Sequence, residues 1–301
     1  LILSLGAKET STQRLNLAQA FNPVGSLMGM AIASNIILPQ LLSDKRDIAG
    51  EVVFHGLSVA EKADIRLHDL EVIRNPYVML GVIVLVVFVM IALKKIPRVN
   101  STAKYVSNKV TLWRLWHNRR YRYGVVAQTF YVAAQIMVWT FIIQYADNLG
   151  IDKATAQRYN IMAMTLFLCS RFITTYLMRF IKSYHMLTCF GIGAVIATTG
   201  TIFIQGIIGL YCLVAISFFM SLMFPTIYGI ALENVEREDT NLGAAFLVMA
   251  IVGGALMPPL QGAVIDCGEL FGMPAVNVSF ALPLLCFIAV ALYGYRCSWN
   301  R

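Results

Sequence analysis

Polar amide side chains stand inside the first apolar run of the chain, where they could bind a polar ligand. Gln19, Asn22 and Ser26 are spaced i, i+3 and i+7, so a helix would carry them on one face. An amide without a partner in hydrocarbon costs roughly 1–3 kcal/mol. Pro23 follows Asn22 and frees a backbone carbonyl near the middle of the run. The pattern indicates residues that line a wet cavity, and the alternative is adhesion between neighbouring helices.

A second polar stripe lies in a later apolar run. Gln128, Tyr131, Gln135 and Trp139 recur at i, i+3, i+7 and i+11, which keeps them on one side of a helix. Carboxamides exchange hydrogen bonds with hydroxyl groups, and phenol or indole rings pack on the C–H face of a sugar ring. We therefore predict that this stripe contacts a small-molecule sugar. The alternative is that the two aromatic residues belong to the core or to the membrane-interface belt.

Three further polar residues in the apolar runs are candidates. Arg171 is a charged residue well inside a run, and a buried cation there costs at least a few kcal/mol, so it needs a partner. It is predicted to be a gating or ion-pair residue, or else to snorkel toward the membrane surface. Asn160 lies on the same predicted face and is a candidate for the substrate site. Tyr228 follows Pro225 and repeats the combination of proline and polar side chain.

The apolar runs lack the groups that catalysis or metal binding would need. The acidic residues fall in predicted loops or at helix ends, and no HExxH, GxSxG or P-loop motif occurs. The four histidines have no neighbouring metal ligands. We therefore expect no catalytic residue, no metal and no organic cofactor, and the protein is predicted not to be an enzyme.

Composition indicates an all-α polytopic membrane protein. Hydrophobic residues make up 58% and charged residues 13% of the chain, and the mean hydropathy is +0.68. A helix needs about 20 apolar residues to cross a bilayer, and continuous runs of this length favour helices over a barrel. Eight spans are predicted, at about 14–38, 76–96, 122–145, 156–181, 184–205, 207–232, 241–265 and 273–297.

The distribution of Lys and Arg predicts the orientation. Segment 97–121 is rich in both and contains no acid, so it is expected to be a cytoplasmic central loop. The acidic segment 39–75 is then an outer loop. The net charge of +8 is explained by topology and anionic lipid rather than by nucleic acid. The predicted location is a cell membrane, either a bacterial inner membrane or a plasma membrane, with the lipid bilayer as partner.

An internal similarity suggests a duplicated membrane unit. Segment 16–21 (Asn-Leu-Ala-Gln-Ala-Phe) resembles segment 241–246 (Asn-Leu-Gly-Ala-Ala-Phe), and a Val-Gly pair follows each. The second copy lies behind several more spans than the first. This asymmetry leads us to expect a two-bundle transporter that begins at its fifth helix, truncated at the N-terminus, with about eight of twelve helices present.

Several segments resemble the major facilitator superfamily, and within it the fucose/galactose/glucose:proton symporter family. The resemblance rests on segments 12–25, 128–140, 157–160, 223–232 and 242–262, which include Asn-Leu-Ala-Gln-Ala-Phe-Asn-Pro and Met-Phe-Pro-Thr-Ile-Tyr. It implies a two-bundle fold, with 1–96 as the remainder of the N-terminal bundle, 97–121 as the central loop and 122–301 as a C-terminal six-helix bundle. It also implies that Gln19, Asn22 and Trp139 contact sugar.

The family implies proton-coupled uptake of L-fucose or a related hexose by alternating access, with the proton as the coupling ion. The proton-coupling residues are unknown and are expected in missing N-terminal helices of the same protein, which would be a necessary partner. The alternatives are a glucose/galactose transporter of the same family, or an inactive truncated product or sugar receptor.

Overall fold

The computed structural model describes residues 11–43, 53–93, 108–151, 153–236, 238–270 and 272–299. Eight stretches in them are long and apolar enough to cross a membrane, which confirms the eight predicted spans. The helices are α1 (Ser11–Gln19), α2 (Asn22–Ile32), α3 (Val59–Leu93), α4 (Asn108–His117), α5 (Arg119–Asn148), α6 (Lys153–Leu177), α7 (Ser183–Phe203), α8 (Ile207–Met220), α9 (Met223–Leu232), α10 (Thr240–Met249), α11 (Gly253–Ile265), α12 (Ala275–Ser279) and α13 (Ala281–Trp299).

Short irregular elements join some of these helices. A π-helix (Ala33–Ile37) and a 3-10 turn (Leu38–Gln40) follow α2, and 3-10 turns also occupy Val53–Gly56 and Ala250–Val252. The strands β1 (Glu269–Leu270) and β2 (Met273–Pro274) form a small antiparallel hairpin between α11 and α12, with Leu270 opposite Met273. The seventh span is thus irregular, with a 3-10 turn directly before Gly253.

The chain forms two compact units. The first comprises residues 1–24 and 103–301, and the second comprises 25–102. In the first unit α13 packs on α7 and α5, α8 packs on α7 and α6, and α11 packs on α5. Its core contains the fully buried rings of Tyr131, Phe167, Phe280 and Phe287. Residues 11–24 belong to this unit because α1 packs on α9 and α6.

Small residues allow the close approach of α7 and α13. A Cβ atom added at Gly191 would lie 2.9 Å from the Cα atom of Ala291, so a larger residue would push the two backbones apart. Membrane helices commonly associate through such small residues, because lipid supplies no hydrophobic drive between them.

The second unit contains the longest helix. Helix α3 begins at Val59, so the prediction that all of 39–75 is a loop is wrong in its second half. The helix begins there because Ser58 and Glu61 form a capping box: the Ser58 backbone N–H donates to Glu61 (2.9 Å), and the Glu61 N–H donates back to Ser58 Oγ (3.5 Å). Asp69 is 7% exposed and accepts hydrogen bonds from the backbone N–H groups of Leu42 and Ser43.

The predicted central loop also contains regular structure. Helix α4 occupies Asn108–His117 and packs against α5, whereas 97–107 lies outside the described residues. Asn118 caps α5, because its side chain accepts a hydrogen bond from the Tyr121 N–H.

Candidate functional site

The span formed by α8 and α9 is broken at Ser221 and Leu222, and side chains from two other helices bond to the break. Pro225 has no N–H, so it cannot satisfy a carbonyl one turn earlier. The carbonyl of Met220 accepts from Tyr131 Oη (3.0 Å). The carbonyls of Phe218 and Ser221 accept from Ser170 Oγ (2.8 Å) and Arg171 Nε (2.6 Å). Side chains of α5 and α6 therefore stabilise the break, together with a backbone bond from the Ser221 N–H to the Phe218 carbonyl (3.4 Å).

The span formed by α1 and α2 is broken in a similar way. Helix α1 ends at Gln19, residues 20 and 21 form a turn, and α2 begins at Asn22, directly before Pro23. The carbonyl of Gln19 accepts a hydrogen bond from Arg171 Nη1 at 3.0 Å. The proline predicted to expose backbone in this span therefore does so, and the exposed carbonyl has a cationic donor.

Arg171 is the residue that contacts both breaks. It is 3% exposed, and its guanidinium lies over the ring of Phe167 with 4.8 Å between Cζ and the ring centroid. The alternative that Arg171 snorkels to the surface is wrong, because the side chain is buried. Among the described residues no carboxylate forms an ion pair with it, so two carbonyl dipoles and a ring face stabilise the charge.

The predicted stripe on α5 divides between the core and the break. Tyr131 is fully buried, and its hydroxyl donates to the Met220 carbonyl at the break. Trp139 is half-buried and donates from Nε1 to Ser217 Oγ (3.3 Å). Its ring forms a T-shaped pair with Phe167, with 5.1 Å between the ring centroids. Gln135 is half-buried. Tyr131, Trp139 and Arg171 thus lie around the α8–α9 break. Whether any of them, or Gln135, contacts sugar stays a prediction.

Gln128 differs from the rest of the stripe. Its side chain is fully buried, and neither amide atom has a hydrogen-bond partner among the described residues. Asn160 on α6 is 8% exposed, and its Oδ1 atom likewise lacks a partner there. Buried polar atoms of this kind are uncommon in proteins and call for a physical explanation. Both positions therefore stay candidates for binding a polar ligand or water.

Of the remaining predicted residues, Gln19 joins this group through its backbone carbonyl, which accepts from Arg171. Gln19 is half-buried, and Asn22 and Ser26 are exposed. Tyr228 is half-buried and packs with Tyr121 against a separate apolar cluster, which Leu115, Ala231, Leu232 and Leu247 complete. No described contact joins Tyr228 to Arg171.

Two polar contacts between α1 and the bundle were not predicted from the sequence. Asn16 is fully buried and donates from Nδ2 to Thr226 Oγ1 (3.4 Å), while Gln13 donates from Nε2 to the carbonyl of Thr175 (3.1 Å). A Cβ atom added at Gly229 would lie 2.6 Å from Thr12 Oγ1, so α1 and α9 are closely packed. Asn16 could have been recognised from the sequence, because it lies three residues before Gln19.

A group of ion pairs lies at the end of the bundle that is predicted to be cytoplasmic. Arg114 lies 2.5 Å from Glu236 and 3.1 Å from Asp239, whose side chain is 3% exposed. Arg120 lies 3.0 Å from Glu233. These acids lie in the loop before α10, and the distribution of Lys and Arg predicts that this loop is cytoplasmic although it is acidic. The structure accounts for them, because they neutralise two of the arginines at that end.

The fold and the two breaks define a class of protein. Several apolar helices that span a membrane, two of them discontinuous and bonded to each other through one buried cation, are typical of secondary transporters. The chain belongs to the Major Facilitator Superfamily: the model of that family matches residues 2–258. It is therefore an integral, multi-pass membrane protein.

Known relatives narrow the family. The chain is 57% identical over 300 residues to the L-fucose-proton symporter of Haemophilus influenzae, covering 99% of this chain and 70% of the relative. It is 28% identical over 293 residues to the glucose/galactose transporter of Brucella abortus, covering 96% of this chain and 64% of that relative. The relatives it resembles are thus transporters, and the chain spans about two thirds of their length.

A solved structure resembles the fold. The crystal structure of FucP, a Major Facilitator Superfamily transporter in the outward conformation, matches with a TM-score of 0.81 at 28% identity. The match covers 98% of this chain and 70% of that one. The predicted major facilitator-type fold is therefore confirmed.

Proposed function

We propose that this protein is a secondary active sugar transporter that couples the uptake of L-fucose to protons by alternating access. The observation that carries the proposal is the 57% identity to an L-fucose-proton symporter over 99% of this chain. The geometry agrees with it, because discontinuous helices with freed backbone groups are the elements from which secondary transporters build their binding sites.

The residues proposed to contact sugar are Gln19 and Asn22. Asn22 is exposed and Gln19 half-buried, so their amides are open to a polyhydroxyl ligand. Both flank the break between α1 and α2, and Arg171 fixes this break through the Gln19 carbonyl. Trp139 is the proposed ring for the C–H face of the sugar, since it is half-buried and held at Nε1 by Ser217.

Glucose or galactose transport is the second candidate. It is favoured by the similarity to a glucose/galactose transporter, at 28% identity. A site that hydrogen-bonds a hydroxyl strongly rejects a sugar without that hydroxyl. An apolar pocket only weakly rejects a sugar with an extra hydroxyl. L-Fucose stays the first candidate because the relative that transports it is about twice as similar in sequence.

Uptake measurements test the proposal. The complete gene is expressed in cells without their own fucose, galactose and glucose carriers, and uptake of each labelled sugar is followed with and without a protonophore. We expect L-fucose to accumulate, the protonophore to abolish accumulation, and fucose addition to de-energised cells to make the medium more alkaline. Uptake of glucose and galactose without fucose would select the second candidate. Absence of all uptake would refute both.

Two substitutions test the proposed contacts. Gln19→Ala and Asn22→Ala should each weaken sugar binding by about 1–3 kcal/mol, the usual cost when a hydrogen bond to a buried polar group is lost. Gln261→Ala is the matched control, because this buried amide donates to Ser279 Oγ (3.1 Å) in α12 and makes no described contact with α1. It should lower stability while leaving sugar affinity unchanged. Equal sugar affinity in all three variants and the wild type would show that these amides do not bind sugar.

A further inference from the structure

The two carbonyls that Arg171 binds occupy equivalent positions in their spans. In a regular helix the carbonyl of residue i accepts a hydrogen bond from the N–H of residue i+4. For Gln19 that residue is Pro23, and for Ser221 it is Pro225, and proline has no N–H. Both carbonyls are therefore freed by a proline one turn later.

One side chain replaces both missing donors. Arg171 donates from Nη1 to Gln19 (3.0 Å) and from Nε to Ser221 (2.6 Å). A guanidinium presents several N–H groups in a rigid plane, so it can serve two carbonyls at once without rearranging. Burial matters most for the Ser221 carbonyl, because an unpaired carbonyl away from water is costly, whereas the Gln19 bond is part-buried.

We propose that Arg171 is a positioning residue for sugar transport, acting as a bridge that replaces the two backbone donors lost at Pro23 and Pro225. The bridge fixes the Gln19–Asn22 segment against the break between α8 and α9. This inference rests on the proposed function, since it takes Gln19 and Asn22 as sugar contacts. Arg171 itself needs no contact with the sugar.

The two bonds differ in what they join. The Ser221 bond lies within the bundle of α5 to α13, where α6 and α8 pack closely. The Gln19 bond joins that bundle to α1, which otherwise touches α6 and α9. Alternating access requires helices of the two halves to separate on one side of the membrane in turn. The Gln19 bond is thus the one that breaks when α1 leaves α6 and α9, and it stabilises the conformation described here.

A double-mutant cycle on stability tests the bridge. Arg171→Gln, Pro225→Ala and the double variant are purified in detergent, and their thermal unfolding is compared. Alanine at 225 restores an N–H for the Ser221 carbonyl, so Arg171→Gln should lower the midpoint by about half as much in that background as in the wild type. Pro259→Ala is the control, because Pro259 is exposed in α11, which packs on α5 and α12. Arg171→Gln should lower the unfolding midpoint by the same amount with and without Pro259→Ala.

Additive effects of Arg171→Gln and Pro225→Ala would overturn the proposal. If Arg171→Gln does not accumulate in the membrane, Arg171→Lys serves in the same cycle, since it keeps the charge but has a single donor nitrogen. A smaller loss of the unfolding midpoint in the Pro225→Ala background then supports the bridge, and additive effects overturn it.

Transport kinetics supply a readout that a purely structural residue would not move. Loss of the Gln19 bond destabilises the conformation in which α1 is bound to α6 and α9. We therefore expect the KM for L-fucose in Arg171→Gln to rise about tenfold or more, with the maximal rate changed by less than about threefold. An unchanged KM, or a fall in maximal rate alone, would overturn the positioning role. If the wild type transports no sugar, the proposed function fails, and the stability cycle still decides whether the bridge exists.

Discussion

The unpaired amide of Gln128 leads to a prediction of increased stability. Both its nitrogen and its oxygen are buried without a partner among the described residues. An unmet buried polar group costs about 1–3 kcal/mol, whereas an apolar side chain of similar size carries no such cost. Gln128→Leu should therefore raise the free energy of unfolding by about 1–3 kcal/mol, in contrast to most substitutions at fully buried sites.

Gln261 supplies the matched control. It is also fully buried, but its Nε2 atom donates to Ser279 Oγ (3.1 Å) while its oxygen has no partner among the described residues. Gln261→Leu thus loses one hydrogen bond and removes one unmet atom, and the two effects nearly cancel. Gln128→Leu should accordingly be more stable than both Gln261→Leu and the wild type.

Thermal and denaturant unfolding in detergent, followed by circular dichroism, measures the difference. A midpoint for Gln128→Leu at or below that of the wild type would show that the Gln128 amide is paired in the folded protein, and the reasoning would fail. Sugar affinity of the same variant tests the prediction that Gln128 contacts sugar. That contact requires weaker binding in Gln128→Leu.

Three other predictions concern different parts of the first unit. In a variant that retains Trp139 as its sole tryptophan, saturating L-fucose should change the fluorescence, because the ring is half-buried beside the break; an unchanged spectrum would exclude it from the sugar site. Gly191→Ala should lower the free energy of unfolding by about 1–3 kcal/mol through overpacking, whereas Gly262→Ala, whose added Cβ would lie 3.8 Å from its nearest neighbour, should be tolerated; equal midpoints would contradict this. Arg114→Gln should cost about 3–5 kcal/mol, because it leaves the Asp239 carboxylate buried without its cation; a loss under about 1 kcal/mol, the value of a surface pair, would refute that reasoning.

The number of spans was predictable because it depends on local quantities. Apolar length and the absence of charge identified all eight, and the structure confirms them. The start of α3 was missed because its first turns carry acids and bases, which hydropathy scores as loop. The signal was present in the sequence all the same, as Ser58 followed three residues later by Glu61.

The breaks were predictable in part. Pro23 and Pro225 indicate freed carbonyls without any knowledge of the fold. The donor was not predictable, since Arg171 lies 152 residues from Gln19 and 50 from Ser221 along the chain. A single sequence shows that Arg171 needs a partner, but only packing shows which.

The polar stripe on α5 shows a second reason why the site was harder to predict than the fold. Periodicity correctly places Tyr131 and Trp139 on one helix, about two turns apart. It does not distinguish a hydroxyl directed at a ligand from one directed at the carbonyl of Met220. A phenol that binds a ligand and a phenol that binds a backbone carbonyl show the same spacing in the sequence, because a buried phenol hydroxyl needs a hydrogen-bond partner in either case.

The break between α8 and α9 has a consequence for biosynthesis. Its carbonyls depend on Tyr131, Ser170 and Arg171, which precede it in the chain. Because polypeptides emerge from the ribosome N-terminus first, α5 and α6 enter the bilayer before the segment that requires them. This interrupted span therefore meets its donors when it enters the bilayer, and its freed carbonyls do not have to stay unpaired in lipid, where unmet peptide groups are not tolerated.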